Sequence, residues 1–164
     1  MPAKRQARFM IDAFLRTLQQ AGPLTQASER ALREAFASVI EVHRHGAIPR
    51  EGDPTSLITT MVEGMAFGYK TVPSGQRQIL SIVMPGDICD LSSIFFPQLD
   101  YDIEAAMDCE IAVAKRQTVI DAIAAHPDIG RALWWVSQAG EAISREWIVN
   151  LGRRPAHQRI AHFL

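Results

Sequence analysis

The stretch from Val62 to Leu91, VEGMAFGYKTVPSGQRQILSIVMPGDICDL, constrains the fold of this chain more than any other. Two apolar runs, Met65 to Val72 and Gln78 to Met84, flank Pro73-Ser74-Gly75, a reversal in which proline presets φ and glycine takes a positive φ. That pattern is a β-hairpin. The second run ends at Pro85-Gly86-Asp87, where glycine supplies a backbone conformation that a side chain resists and proline keeps the strand from continuing. Short strands with glycine-bearing turns at intervals of roughly 8–12 residues specify a jelly roll or β-roll, not a parallel sheet with long helical crossovers.

The flanking segments are helical first and extended later. Arg8 to Gln20 puts Phe9, Ile11, Phe14, Leu15 and Leu18 close to helical spacing, with Gly22-Pro23 as the stop. Ala27 to Ala37 reads as a second helix, with Ser28 as its cap and Ala31, Leu32, Ala35 and Phe36 as its apolar face. Val39 to His45 alternates as a first strand, ended by Gly46. Pro49-Arg50-Glu51-Gly52-Asp53-Pro54 is a turn-rich connection, and Leu57 to Glu63 resumes strand spacing before the hairpin. After it come a mixed apolar segment, Ile88 to Phe96, and two more short strands, Ile103 to Ala106 and Glu110 to Ala114. Lys115 to Ala125 is a short helix, and His126-Pro127-Asp128 is a break whose aspartate is placed to cap the next element.

That element is a long helix, about Ile129 to Leu151. Steps of three or four connect Ile129, Leu133, Val136, Gly140, Ile143, Trp147 and Asn150, an average period near 3.5 that predicts a coiled-coil seam of about three heptads. Such a seam pairs with its own copy, so a homodimer is expected, with Gly140 allowing close approach and Asn150 setting register. Packing of the helix on its own roll is the competing use, and Trp134 and Trp135 provide a second apolar face for it. Gly152-Arg153-Arg154-Pro155 then breaks the helix, and Ala156 to Leu164 starts another with Pro155 at its first position.

Composition narrows the class of function. A chain of 164 residues with net charge −1 builds one good core and lacks the uniformly basic character of a stand-alone nucleic-acid binder. No apolar run approaches the ~18 residues of a membrane span, and polar breaks interrupt the N-terminus where a signal peptide needs its apolar region. A cytoplasmic location without membrane contact is expected. The two cysteines, Cys89 and Cys109, are too few for a disulfide framework or an iron–sulfur ligand set and read as buried small apolar residues. No nucleophile triad, phosphate-cradling glycine loop or paired-carboxylate site stands out, so no catalysis is expected.

Val62-Glu63-Gly64, Tyr69-Lys70, Ser74-Gly75-Gln76-Arg77-Gln78-Ile79-Leu80 and Pro85-Gly86-Asp87 resemble the sensor domain of the Crp/Fnr family of bacterial transcription regulators. The likeness continues through Leu133-Trp134-Trp135, Arg145-Glu146-Trp147 and Asn150-Leu151-Gly152-Arg153-Arg154. It implies an α+β fold: a double-stranded β-helix with N-terminal helices and a long C-terminal dimerisation helix. The implied organisation is a sensor over residues 1–127, a dimer helix over 128–151, and a hinge at Gly152, Arg153, Arg154 and Pro155. Residues 152–164 would then open a winged helix-turn-helix domain that binds DNA and is cut short at Leu164.

The resemblance also locates a ligand site, and there the residues depart from it. Cyclic-nucleotide binders of the family carry a Gly-Glu-Leu segment and, further on, an Arg-Ser/Thr-Ala segment that neutralises the phosphate. Here the first corresponds to Cys89-Asp90-Leu91 and the second falls at Asp100-Tyr101-Asp102, with no arginine. Between Arg77 and Lys115 there is no Lys, Arg or His but there are seven acids. A phosphate buried there would meet like charge without a partner, so no tight binding of cyclic AMP or cyclic GMP is expected, unless Arg77 or another distant cation reaches in. Neutral or cationic small molecules suit Asp90 and Tyr101 better, and no cofactor is expected.

Other readings remain open. His43-Arg44-His45 followed by Glu51 is similar to a cupin-type metal motif, although the spacing is too long and surface histidines explain it as well. Haem sensing would have only Cys89, Cys109 and methionines to draw on. A stand-alone ligand or protein-interaction module built on the long helix is the remaining alternative.

Overall fold

A computed structural model describes residues 11–54 and 56–163. Two helices, α1 (Asp12–Gln19) and α2 (Gln26–Ala35), lead into the strands β1 (Ser38–Val42), β2 (Leu57–Glu63), β3 (Ala66–Thr71) and β4 (Arg77–Val83). A 3₁₀ turn at Ser92–Ile94 precedes β5 (Asp102–Ala105) and β6 (Cys109–Lys115), and α3 (Arg116–Ala125), α4 (Pro127–Arg153) and α5 (Ala156–Phe163) complete the order. The expected helix start at Arg8 and Phe9, and the chain end at Leu164, lie outside the described residues.

The strands form two three-stranded antiparallel sheets, ordered β1-β6-β2 and β4-β3-β5. Their alternation sorts side chains to two faces. One face of the first sheet, with Ile58, Ala112 and Ala114, packs under the helices in a core with Phe14, Leu18, Leu32, Phe36, Val119, Ile129 and Leu133. Phe14 and Phe36 meet edge to face with centroids 5.5 Å apart. The other face, with Met61, Cys109 and Ile111, closes on Ala66, Ile103 and Ala105 of the second sheet. This is the β-roll. The Pro85-Gly86-Asp87 turn docks on the helices: Gly86, at φ 97°, lies so near α1 that a Cβ would stand 2.9 Å from the Ala13 carbonyl oxygen.

Three local expectations are corrected. Thr25, not Ser28, caps α2, its hydroxyl accepting the Ser28 N–H at 3.1 Å. Asp128 sits inside the first turn of α4, which begins at Pro127, and it reaches across the fold instead of capping its own helix. Its carboxylate accepts the Thr25 N–H at 2.9 Å and the Ser28 hydroxyl at 2.7 and 2.8 Å, which clips the start of α4 to the start of α2. Strand β1 stops at Val42, because His45 turns to φ 67° and the Arg44 N–H is taken by the Asp108 carboxylate at 2.8 Å. No helix among the described residues is long and apolar enough to cross a membrane.

The bonds from Thr25 and Ser28 hold the Asp128 carboxyl below the usual carboxylate range. Its folded-state value therefore lies below the unfolded one. The stabilisation is present above roughly pH 4 and is lost as pH falls through the depressed value. Asp128→Ala should cost about 1–2 kcal/mol in urea melts at neutral pH, and the gap to the wild type should narrow in acid.

Candidate functional site

The segment after the Pro-Gly-Asp turn is stitched along the edge of β2. The Met61 N–H donates to the Asp87 carbonyl at 2.9 Å, and the Cys89 N–H donates to the Thr59 carbonyl at 2.8 Å. Asp90 comes next and turns inward, with 6% of its surface exposed. One carboxylate oxygen accepts the Ser92 N–H at 3.2 Å, the Ser92 hydroxyl at 2.7 Å and the Tyr101 hydroxyl at 3.2 Å. The other accepts the Ser93 N–H at 2.9 Å and the Ser93 hydroxyl in a short bond. Asp90 thus holds the first N–H groups of the 3₁₀ turn from the residue before its N-cap Leu91, and its hydrogen-bonding capacity is used up within the chain.

Tyr101 completes this arrangement from the bend just before β5. Its ring lies over Gly68 of β3: a Cβ there would stand 2.9 Å from the ring and 2.6 Å from the Ser81 hydroxyl oxygen. Only a glycine at position 68 admits the phenol. The ring rests between the β3–β4 hairpin and the Asp90 loop, and the hydroxyl also approaches the Cys89 carbonyl at 3.5 Å. Burial and the Asp90 charge push the phenol pKa upward, so it is a neutral donor at physiological pH. Burial likewise pushes the Cys89 thiol up to about 12. Cys109 is equally buried and donates to the Met65 and Met107 carbonyls at 3.3 and 3.1 Å.

The remaining residues singled out in the sequence separate from this cluster. Leu91 packs toward the helical core, and Asp100 is on the surface with its carboxylate 3.9 Å from the Lys70 ammonium. Lys70 is shared with Glu51 at 3.6 Å. Arg77 does not reach in, because Glu104 holds its guanidinium at 2.8 Å and it stands 4.3 Å over the Tyr69 ring on the outward side of the hairpin. His43 faces Asp108 at 3.7 Å and His45 faces Glu104 at 3.0 Å, so the two histidines and Glu51 do not converge. No group of three or more His, Cys, Asp or Glu among the described residues is arranged to hold a metal ion. Gly68, Ser81, Ser92 and Ser93 are the site residues that sequence reasoning missed. The Asp-x-Ser-Ser order at 90–93 was the available signal, since an aspartate with serines just after it caps a turn.

Along the long helix the seam divides. Ile129 and Leu133 are buried in the protomer's own helical core and have no face left for a second copy. Val136 is half-buried at the edge of that core, whereas Gly140 is exposed and Ile143 is 60% exposed. Trp147 is half-buried. Asn150 is buried in its own chain, with its carbonyl oxygen 3.4 Å from the Arg154 guanidinium. Arg154 also faces Glu146 at 3.6 Å, so the helix expected to break at Gly152 runs on through Arg153 and the residue after it is tied back to its last turns.

A β-roll covered by N-terminal helices and continued by one long helix is the architecture of domains of the cyclic-nucleotide-binding type. The family described as the cyclic nucleotide-binding domain matches residues 39–126, more than half of the chain, and the chain belongs to that family. Curated relatives are Crp/Fnr-type transcription regulators. A probable transcriptional activator of Rhizobium leguminosarum is 27% identical over 143 residues, covering 87% of this chain and 56% of the relative. The transcriptional activator protein FnrL of Cereibacter sphaeroides is 26% identical over 113 residues, covering 69% and 45%. This chain thus spans about half the length of these relatives. A cyclic nucleotide-binding domain from Methylobacillus flagellatus superposes with a TM-score of 0.76 over 92% of this chain and 88% of that one, at 19% identity, a likeness of fold.

Asp90→Ala removes the acceptor for the donors of Ser92, Ser93 and Tyr101. It should cost about 2–4 kcal/mol in chemical denaturation. A loss below about 0.5 kcal/mol would mean that those donors find other partners.

Proposed function

We propose that this chain is the sensor and dimerisation portion of a cytoplasmic Crp/Fnr-type transcription regulator, and that it does not bind cyclic nucleotides at the family's usual site. The carrying observation is Tyr101. Its phenol occupies the ground between Gly68, Ser81 and Asp90, and the side-chain partner it meets there is a carboxylate already saturated by its own loop. A cyclic phosphate would have to displace the ring, then lie beside Asp90 with no guanidinium to neutralise it. The nearby Lys70 is already shared between Glu51 and Asp100. No cofactor has a part in this reading.

The dimer is proposed through the outer half of α4. Val136, Gly140, Ile143 and Trp147 keep the three-and-four spacing beyond the core, and Leu151, exposed where Asn150 is buried, extends it. Apolar side chains at this spacing on a projecting helix are stabilised by burying them against a second copy. Of the expected hinge, Gly152 and Arg153 continue α4, so Arg154 and Pro155 form the joint through which a change in helix pairing passes to a DNA-binding segment of the full-length protein.

Two measurements test the proposal. Calorimetric titration with cyclic AMP should give no saturable heat, and one site per chain would show that a cation does complete the pocket. Ile143→Glu should convert a dimer into monomers in light scattering, and an unchanged dimer would remove the outer half of α4 from the interface.

A further inference from the structure

We propose that the open end of the roll holds a second pocket, separate from the ground filled by Tyr101, that takes one uncharged, mainly apolar small molecule. The inward face of the first sheet carries Ile40 opposite Ile111 and Thr59 opposite Val113. At one end this face is covered by the second sheet, where Met61, Ile111 and Cys109 meet Ile103 and Ala105. At the other end the second sheet does not extend over it, and only loops stand around it. Ile40 and Leu57 are 47% and 48% exposed, although they stand on the side of the sheet that is core elsewhere.

The connection after Ile48 and the loop from Asp90 to Leu99 wall in that uncovered end, leaving a cavity of about 280 Å³. This lies just below the ~300–1,000 Å³ range of small-molecule sites and suits a bicyclic aromatic or short aliphatic compound. Of its two acidic groups Asp90 is saturated, and Asp53 stands exposed at the rim. Asp53 accepts the Arg50 N–H at 2.9 Å, and the Ser93 hydroxyl is spent on Asp90. Two carboxylates and no lysine, arginine or histidine line the pocket among the described residues, so an anion is repelled. A cation would gain no open acceptor from Asp90 while losing its hydration over the aliphatic floor.

An occupant would press on Ser93 and Leu99, which belong to the loop that positions Asp90 and Tyr101. The pocket's role as the effector site rests on the sensor reading above; the binding itself does not. The test is a fluorescence titration of the whole chain with N-phenyl-1-naphthylamine, a neutral dye that brightens in apolar surroundings. Saturable binding at one dye per chain is expected. Leu57→Trp, which fills the cavity from a half-exposed position, and Ile40→Asp, which charges its floor, should each weaken binding at least tenfold with unchanged circular dichroism. Ile143→Glu should leave it as in the wild type. The sulfonated analogue 1-anilinonaphthalene-8-sulfonate should bind at least tenfold more weakly. No saturable signal, indifference to both floor substitutions, or loss in Ile143→Glu overturns the pocket, and equal affinity for the sulfonate overturns the uncharged occupant. The oligomeric state of Ile143→Glu judges the dimer separately.

Discussion

A carboxylate shut away from water has to be surrounded by donors, and in this protein that requirement falls on Asp90. The loop from Cys89 to Ile94 has its shape because two serines and their backbone N–H groups turn toward one side chain. Tyr101 is aimed by the same charge, and its ring in turn needs the bare α-carbon of Gly68 beneath it. The mouth of the roll is therefore organised around a negative charge balanced by neutral hydrogen bonds. A phosphate-binding site needs the reverse, a fixed cation with open donors.

The long helix meets two demands at once. Its 27 residues extend about 40 Å, more than the helical layer can cover, so one half is buried and the other projects. Ile129, Ala132 and Leu133 join α1 and α3 in the core. The clip from Asp128 to Thr25 and Ser28 sets where that buried half begins. Beyond Val136 the same spacing continues without the core beneath it, and the Arg154 strap to Glu146 and Asn150 ties the following turn to its end. One periodic pattern thus serves intramolecular packing first and an outward surface afterwards.

Much of the fold was legible because the signals were local. The strand Leu57–Glu63 and the hairpin about Pro73-Ser74-Gly75 come from alternation and from turn residues whose preferences act over two or three positions. The burial of Cys89 and Cys109 followed from their being small and isolated. The choices that failed to show were those between equivalent donors and acceptors. Thr25 and Ser28 are both competent caps, and the distant Asp128 decides between them by engaging Ser28. Arg77 was free in the sequence to face either way, and Glu104, 27 residues on, holds it outward.

By itself the sequence determined the order of helices and strands, the places where the chain must turn, and the shortage of positive charge between Arg77 and Lys115. These depend on backbone preferences and composition, which need no knowledge of distant neighbours. The tertiary structure alone decided that Tyr101 packs over Gly68 and against the Asp90 loop, that Asp90 is buried and bonded to Ser92, Ser93 and Tyr101, and that Ile129, Leu133 and Asn150 are used within the protomer. Each of those outcomes is a competition for one small volume between residues far apart in the chain, and it is settled only when packing brings them to the same place.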